Sequence, residues 1–308
     1  MTNAVVFPGQ GSQSVGMLKE LSEHEPLVRQ TFDEAAQALG YDLWSLVSGG
    51  PAEELNLTER TQPAMLAAGI ASFRAYRAHG GQMPQIGAGH SLGEITALVA
   101  ANAIGFSDGI RLTQLRGRLM QAAVPAPQGA MAAILMLDDA QVIDACASAA
   151  QGDVVEAVNF NCPGQVVIAG HSAAVERAMA RCKELGAKRV LRLPVSVPAH
   201  SSLLREAGAQ FRQHLDAIDI QPPQFKVCAL NGLWHGEPKE IRQQLVEQLY
   251  SPVQWTKTIG RMASVTRIIE CGPGKVLTGL NKKILAGTSV QFMALDDSAS
   301  LAAAVSAA

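Results

Sequence analysis

The chain has 308 residues, with 25 Lys and Arg against 27 Asp and Glu for a formal net charge of −2. That length suits one large α/β body carrying an insertion, and the near-balanced charge offers no broad basic field of the kind a nucleic-acid backbone requires. Apolar runs such as AMAAILML at 130–137 fall far short of the roughly 20 residues that span a bilayer, so neither nucleic acid nor a membrane is an expected partner.

In chain order, NAVVF at 3–7 reads as a short apolar strand running into a Pro-Gly-Gln-Gly turn that can present backbone N–H groups. The opening lacks the basic start and apolar centre of a secretory leader. Residues 61–81 show apolar side chains at helical spacing, with Pro63 near the expected start and a Gly-Gly stop. A strand, a tight turn and a helix are then expected through 86–103. Ser107 and Asp108 suggest the N-cap region of the next helix, whose apolar stripe of Leu112, Leu115, Leu119 and Ala123 has Arg116 near its middle. A core-facing guanidinium is costly unless an anion or strong acceptor meets it.

Past Pro125 and Pro127 the pattern becomes βαββαβ: strands at 130–137, 154–160, 165–170 and 188–195, with helices at 139–150 and 172–186. This predicts a ferredoxin-like subdomain over 124–197, inserted into a large, mostly parallel α/β subdomain made of 1–123 and 198–308. In the second part, FKVCAL and RIIECG read as strands, 240–250 as a helix, 272–284 as a turn into another helix, and the Ala-rich end as a last surface helix. Five scattered cysteines without CxxC pairing predict reduced thiols in a cytoplasmic protein. No HExxH occurs and FPGQGSQ lacks phosphate-loop spacing, so neither a metal nor a bound cofactor is expected.

The stretch GHSLG at 89–93 matches G-x-S-x-G between a strand and a helix, a turn that lifts a serine above the sheet. Of the seven histidines, His24, His79, His214 and His235 lie in polar, expectedly exposed segments; His90 and His171 suit local support. His200 ends the return from the insert and should line the cleft between subdomains, which makes it the expected base for Ser91. No aspartate between them holds a strand-end position, so a Ser-His pair, its ring oriented by a carbonyl or amide, is expected rather than a full triad.

These residues, together with FPGQGSQSVGM at 7–17, TQPA at 61–64, GHSLGE at 89–94, Arg116-Gly117, GAMAAI at 129–134, NFNCPGQVVIAG at 159–170, LPVSVPAH at 193–200, QLYSPVQW at 248–255 and GPGKVLTGL at 272–280, resemble the malonyl-CoA:acyl-carrier-protein transacylases over essentially the whole chain. The resemblance implies malonyl transfer for fatty acid synthesis from malonyl-CoA to acyl carrier protein through Ser91, with His200 as base and Gln10 and Leu92 supplying oxyanion-hole N–H groups. It implies that Arg116 grips the malonyl carboxylate, that Asn159 and Asn231 border the substrate, and that the Gln248 carbonyl holds His200. CoA and phosphopantetheine thioesters would be substrates, not cofactors. Ala199, before His200, should widen the acyl pocket. An acidic carrier calls for a basic dock, for which Lys188 and Arg189 are candidates, and the protein is expected to be a monomer. A polyketide acyltransferase, a serine thioesterase or esterase, and a non-catalytic carrier-binding scaffold are the competing readings.

Overall fold

The protein, described over residues 2–306 by a computed structural model, opens with β1 (Asn3–Phe7), in which every residue is buried. A parallel strand covered on both faces requires this. Alternation divides its side chains: Val5 and Phe7 join a layer containing Phe32, Leu66 and Ile95, while Ala4 and Val6 join one containing Trp255, Ile259 and Leu277.

Helices α1 (Lys19–His24), α2 (Pro26–Leu39), α3 (Leu43–Gly49) and α4 (Ala52–Leu55) follow, a stretch in which the sequence offered no clear motif. Helix α2 turns Val28, Phe32 and Ala35 inward. Helix α5 (Thr58–Ala78) begins three residues earlier than Thr61, because extended Leu57 takes the cap position and the Thr61 hydroxyl donates to the Leu55 and Leu57 carbonyls. Pro63 therefore lies inside the helix, where its missing N–H forfeits a single bond to residue 59.

Strand β2 (Ile86–Gly89), α6 (Gly93–Ala100) and α7 (Phe106–Ala123) form the expected strand, turn and helices. Helix α7 starts before Ser107 and Asp108: extended Gly105 is its N-cap and buried Phe106 anchors the first turn. A second, antiparallel sheet is built from β3 (Gly129–Leu135), β4 (Val155–Cys162), β5 (Gln165–His171) and β6 (Arg189–Arg192), in the order β4-β5-β3-β6. Helices α8 (Asp139–Ala150) and α9 (Ser172–Glu184) connect them, which is the ferredoxin-like arrangement.

The chain then returns through α10 (Arg205–Leu215), β7 (Lys226–Cys228), α11 (Pro238–Glu247), α12 (Trp255–Gly260), β8 (Arg267–Cys271), α13 (Val276–Ile284), β9 (Gln291–Leu295) and α14 (Ser298–Ser306). Helix α11 starts and stops earlier than 240–250, set by a capping box between Glu237 and Glu240. Strand β9, which patterning had not marked, completes a parallel sheet in the order β7-β2-β1-β8-β9. The last two residues of the Ala-rich end lie outside the described residues; α14 itself buries Leu301 and Ala304.

Two features of this topology position the site. Strands β1 and β2 are parallel neighbours with Phe7 opposite Gly89, so the loops carrying Gln10 and Ser91 leave the sheet at one edge. The small sheet is stitched to the large body where the Phe160 N–H donates to the Val253 carbonyl at 2.9 Å and the Val253 N–H to the Val158 carbonyl at 2.8 Å. That seam brings the β4 side chains over the edge.

Candidate active site

The turn after β2 is tight for a reason visible in its glycines. A Cβ on Gly89 would lie 1.8 Å from the Gly93 carbonyl carbon, and one on Gly93 would lie 2.2 Å from the Phe7 carbonyl oxygen. Only glycine allows strand, turn and helix to approach so closely. Between them Ser91 has φ 53°, a left-handed conformation that a side chain adopts at some cost and that an elbow of this kind demands. His90 supports the turn from below, its Nε2 2.9 Å from Asn161 Oδ1 and its ring against Trp255.

His200 reaches Ser91 from the far end of the chain segment leaving the small sheet. Its own N–H donates to the Leu249 carbonyl at 3.0 Å, and it too is left-handed at φ 67°. The ring is buried, with Nδ1 2.7 Å from the Gln248 carbonyl and Nε2 2.8 Å from Ser91 Oγ. A carbonyl can only accept, so Nδ1 carries the proton and Nε2 is left to accept from the serine hydroxyl. Among the described residues no carboxylate bonds to the ring, which leaves a Ser-His pair with its ring on a carbonyl, the arrangement the sequence suggested.

Burial, followed by the nearby Arg116 cation, pushes the His200 pKa down to about 3 against the opposing backbone hydrogen bonds. A lowered histidine pKa keeps the neutral, proton-accepting form in place as the pH falls. The kcat/KM of the free enzyme, measured in buffers from pH 8 to pH 5, should thus show no inflection near the ordinary histidine value of about 6.5. An activity that halves there would show that His200 titrates as if exposed.

Arg116, on α7, is 1% exposed. Its Nη1 donates to Gln62 Oε1 at 2.9 Å, and its Nη2 donates to Gln248 Oε1 at 2.6 Å and to Ser91 Oγ at 3.2 Å. These neutral acceptors orient the guanidinium without neutralising it. Burial lowers its pKa to about 10, opposed by the charge of Glu94, so it remains a cation at neutral pH. The adjoining glycine makes its depth possible, since a Cβ on Gly117 would stand 2.5 Å from the Thr58 carbonyl oxygen.

These groups face one pocket of about 110 Å³, lined also by Gln10, Leu92, Met131, Asn159, Val197 and Ala199. The volume is near the roughly 150 Å³ that encloses one benzene, which suits a short acyl group and not a long chain. Arg116 is a lining cation, and no Asp or Glu lines the pocket with it among the described residues. Asn159 presents a buried Oδ1 that has no partner among the described residues. Gln10 and Leu92 line the pocket from the loops after β1 and β2.

Asn231 is a correction: it does not join this pocket. Its Oδ1 accepts from the Leu233 N–H at 2.9 Å, closing its own turn, and it borders a separate cavity with Glu94 and Gln248. His235 is a second one, buried rather than exposed, with its Nε2 2.8 Å from Glu94 Oε1. Lys188 and Arg189 are exposed at the edge of the small sheet. Arg189 pairs with Leu135, whereas the pocket lies by Met131 and Leu193 at the other end of the same ladder, about 13 Å away at strand spacing. Gln62 and Glu94 fall inside the stretches TQPA and GHSLGE, but sequence alone assigns neither a role, although each is a polar residue in an otherwise apolar helical run.

A serine on a strand-to-helix elbow, a histidine held on it by a backbone carbonyl and a buried cation beside both define a protein built to handle acyl groups through a serine ester. The chain belongs to the acyl transferase domain family, which it matches over residues 4–277. It is 52% identical to the malonyl CoA-acyl carrier protein transacylase of Escherichia coli (strain K12), over 98% of each chain. Among solved structures it resembles an acyl carrier protein S-malonyltransferase from Vibrio cholerae, at 52% identity and TM-score 0.95 over 98% of this chain and 99% of that one. It also resembles a malonyl-transacylase in complex with a type II PKS acyl-carrier protein, at 49% identity and TM-score 0.97 over the whole of both chains.

Proposed function

We propose that the protein transfers a malonyl group from malonyl-CoA to the phosphopantetheine thiol of an acyl carrier protein, by way of a malonyl ester on Ser91, for fatty acid synthesis. The observation that carries this reading is the buried Arg116 guanidinium 3.2 Å from Ser91 Oγ in the pocket where His200 Nε2 stands 2.8 Å from the same oxygen. An acyl group with a free carboxylate supplies the anion that this cation lacks; a plain ester offers none.

In the first half, His200 Nε2 takes the Ser91 proton as Oγ bonds to the thioester carbonyl carbon. The Gln10 and Leu92 N–H groups receive the resulting oxyanion. The carbon–sulfur bond then breaks and the imidazolium returns its proton to the CoA sulfur. In the second half His200 takes the proton of the carrier thiol, the sulfur attacks the malonyl ester, and the proton passes to Ser91 Oγ as the ester bond breaks. Throughout, Arg116 pairs with the malonyl carboxylate, Asn159 lines the pocket beside the acyl group, and the Gln248 carbonyl holds the ring.

CoA and phosphopantetheine enter as parts of substrates, and no separate cofactor takes part. The five cysteines are buried and free, which suits a reducing, cytoplasmic setting, and among the described residues no helix is long and apolar enough to cross a membrane. Lys188 and Arg189 would meet the acidic carrier at the rim, away from the acyl pocket.

Intact-mass spectrometry tests the reading. Malonyl-CoA alone should leave a malonyl adduct on the protein, and added carrier bearing its phosphopantetheine arm should take that group up with little free malonate released. Release of malonate as the main product would instead make the protein a thioesterase.

A further inference from the structure

Resting on the malonyl-transfer reading, we infer that Glu94 is a positioning residue: its buried carboxylate decides which way round the Gln248 amide sits and thereby aims Arg116 at the acyl carboxylate. Glu94 lies in the first turn of α6, three residues after the nucleophile, and its side chain is wholly buried. A carboxylate seldom occupies such a place unless its oxygens are satisfied. Here they are. Oε2 accepts from the Leu230 N–H at 3.1 Å and from Gln248 Nε2 at 3.0 Å, and Oε1 accepts from His235 Nε2 at 2.8 Å.

The consequence lies in the Gln248 amide. Its Nε2 donates to Glu94 and to the Ser91 carbonyl at 3.2 Å, and its Oε1 accepts from Arg116 Nη2 at 2.6 Å. Turned over by half a rotation, the amide would fit the same space but point its NH2 group at a guanidinium, which has donors only. Glu94 forbids that orientation, because a carboxylate has nothing to donate to an amide oxygen. It also supplies the negative charge that opposes the effect of burial on Arg116. Glu94 itself does not line the acyl pocket, so its influence on substrate travels through Gln248. Leu230 and His235, on the loop after β7, hold the carboxylate in place.

Substituting Glu94→Gln keeps the size and lets position 94 donate, which frees the Gln248 amide to turn. With the full-length protein and its carrier, the KM for malonyl-CoA should rise about tenfold or more, the effect of misdirecting one charged hydrogen bond. The kcat should fall far less, and acetyl-CoA, which has no carboxylate to place, should show no comparable rise in KM. A Gln248→Met variant removes the amide and retains the backbone carbonyl that holds His200. In that background Glu94→Gln should add nothing further to the malonyl-CoA KM. Equal KM changes for both acyl groups, or independent and additive losses in the double variant, would mean that Glu94 merely supports the fold and would overturn the inference. Should Glu94→Gln fail to fold, as read by thermal unfolding, Gln248→Met decides alone: a malonyl-selective KM rise supports the inference and its absence defeats it. The wild-type arm keeps the two claims apart, because a wild type that moves no malonyl removes the function proposed above, whereas an active wild type with unselective variants removes only the role of Glu94.

Discussion

Ser91→Ala is expected to remove the covalent malonyl adduct from the mass spectrum and to lower kcat/KM for transfer by at least about 10³-fold. The oxygen it deletes is the point where the His200 and Arg116 contacts meet, at 2.8 and 3.2 Å. Alanine leaves His200 on its carbonyl and Arg116 on Gln62 and Gln248, so the pocket survives and malonyl-CoA should still bind. The expected signature is therefore a collapse of kcat with thermal stability preserved. Loss of transfer together with loss of folding would leave the assignment without support, and a variant that still forms an adduct would place the nucleophile elsewhere. His200→Ala should follow the same pattern, with the two losses far from additive because the residues act as one unit.

Arg116→Ala should lower kcat/KM for malonyl-CoA by about 10²–10³-fold, the effect of taking one partner from a buried, hydrogen-bonded charge pair. Acetyl-CoA presents no carboxylate, and its use should fall much less, so the preference between the two acyl groups narrows or inverts. The variant also removes the cation that helps to depress the His200 pKa, and the neutral ring becomes easier to protonate. Arg116→Lys keeps a charge but loses the planar fork that Gln62 and Gln248 hold, and should fall between wild type and alanine. A uniform loss across acyl groups would show that the guanidinium serves the fold and not the substrate carboxylate.

Much of the site was legible because its chemistry is local in the chain. Gly89, Ser91 and Gly93 announce an elbow through their spacing between a strand-like and a helix-like run, and Arg116 stands out because the helical period puts a charge among leucines. His200 was legible from its place at the return of an inserted βαββαβ unit, which is itself a matter of alternating periods. Glu94 and His235 were not. A glutamate opening a helix reads as a favourable charge at the positive end of its dipole, and a histidine in a glycine-rich loop reads as exposed. Only the packing of the β7 loop against α6 buries the two together. Asn231 misled in the opposite sense, since an asparagine beside a cleft-forming strand can as readily close its own turn.

Periodicity, glycine placement and a few polar residues out of phase with their surroundings were enough to determine a parallel α/β body, its ferredoxin-like insertion and the serine at its edge, because each depends on backbone sterics or on burial within one element. The neighbours of Arg116 depend on none of these. Gln62, Ser91 and Gln248 come from three distant segments, and whether a guanidinium meets an amide, an acid or water there is decided by how helices and loops close on one another. Tertiary structure alone decided that the guanidinium is oriented by these neutral groups.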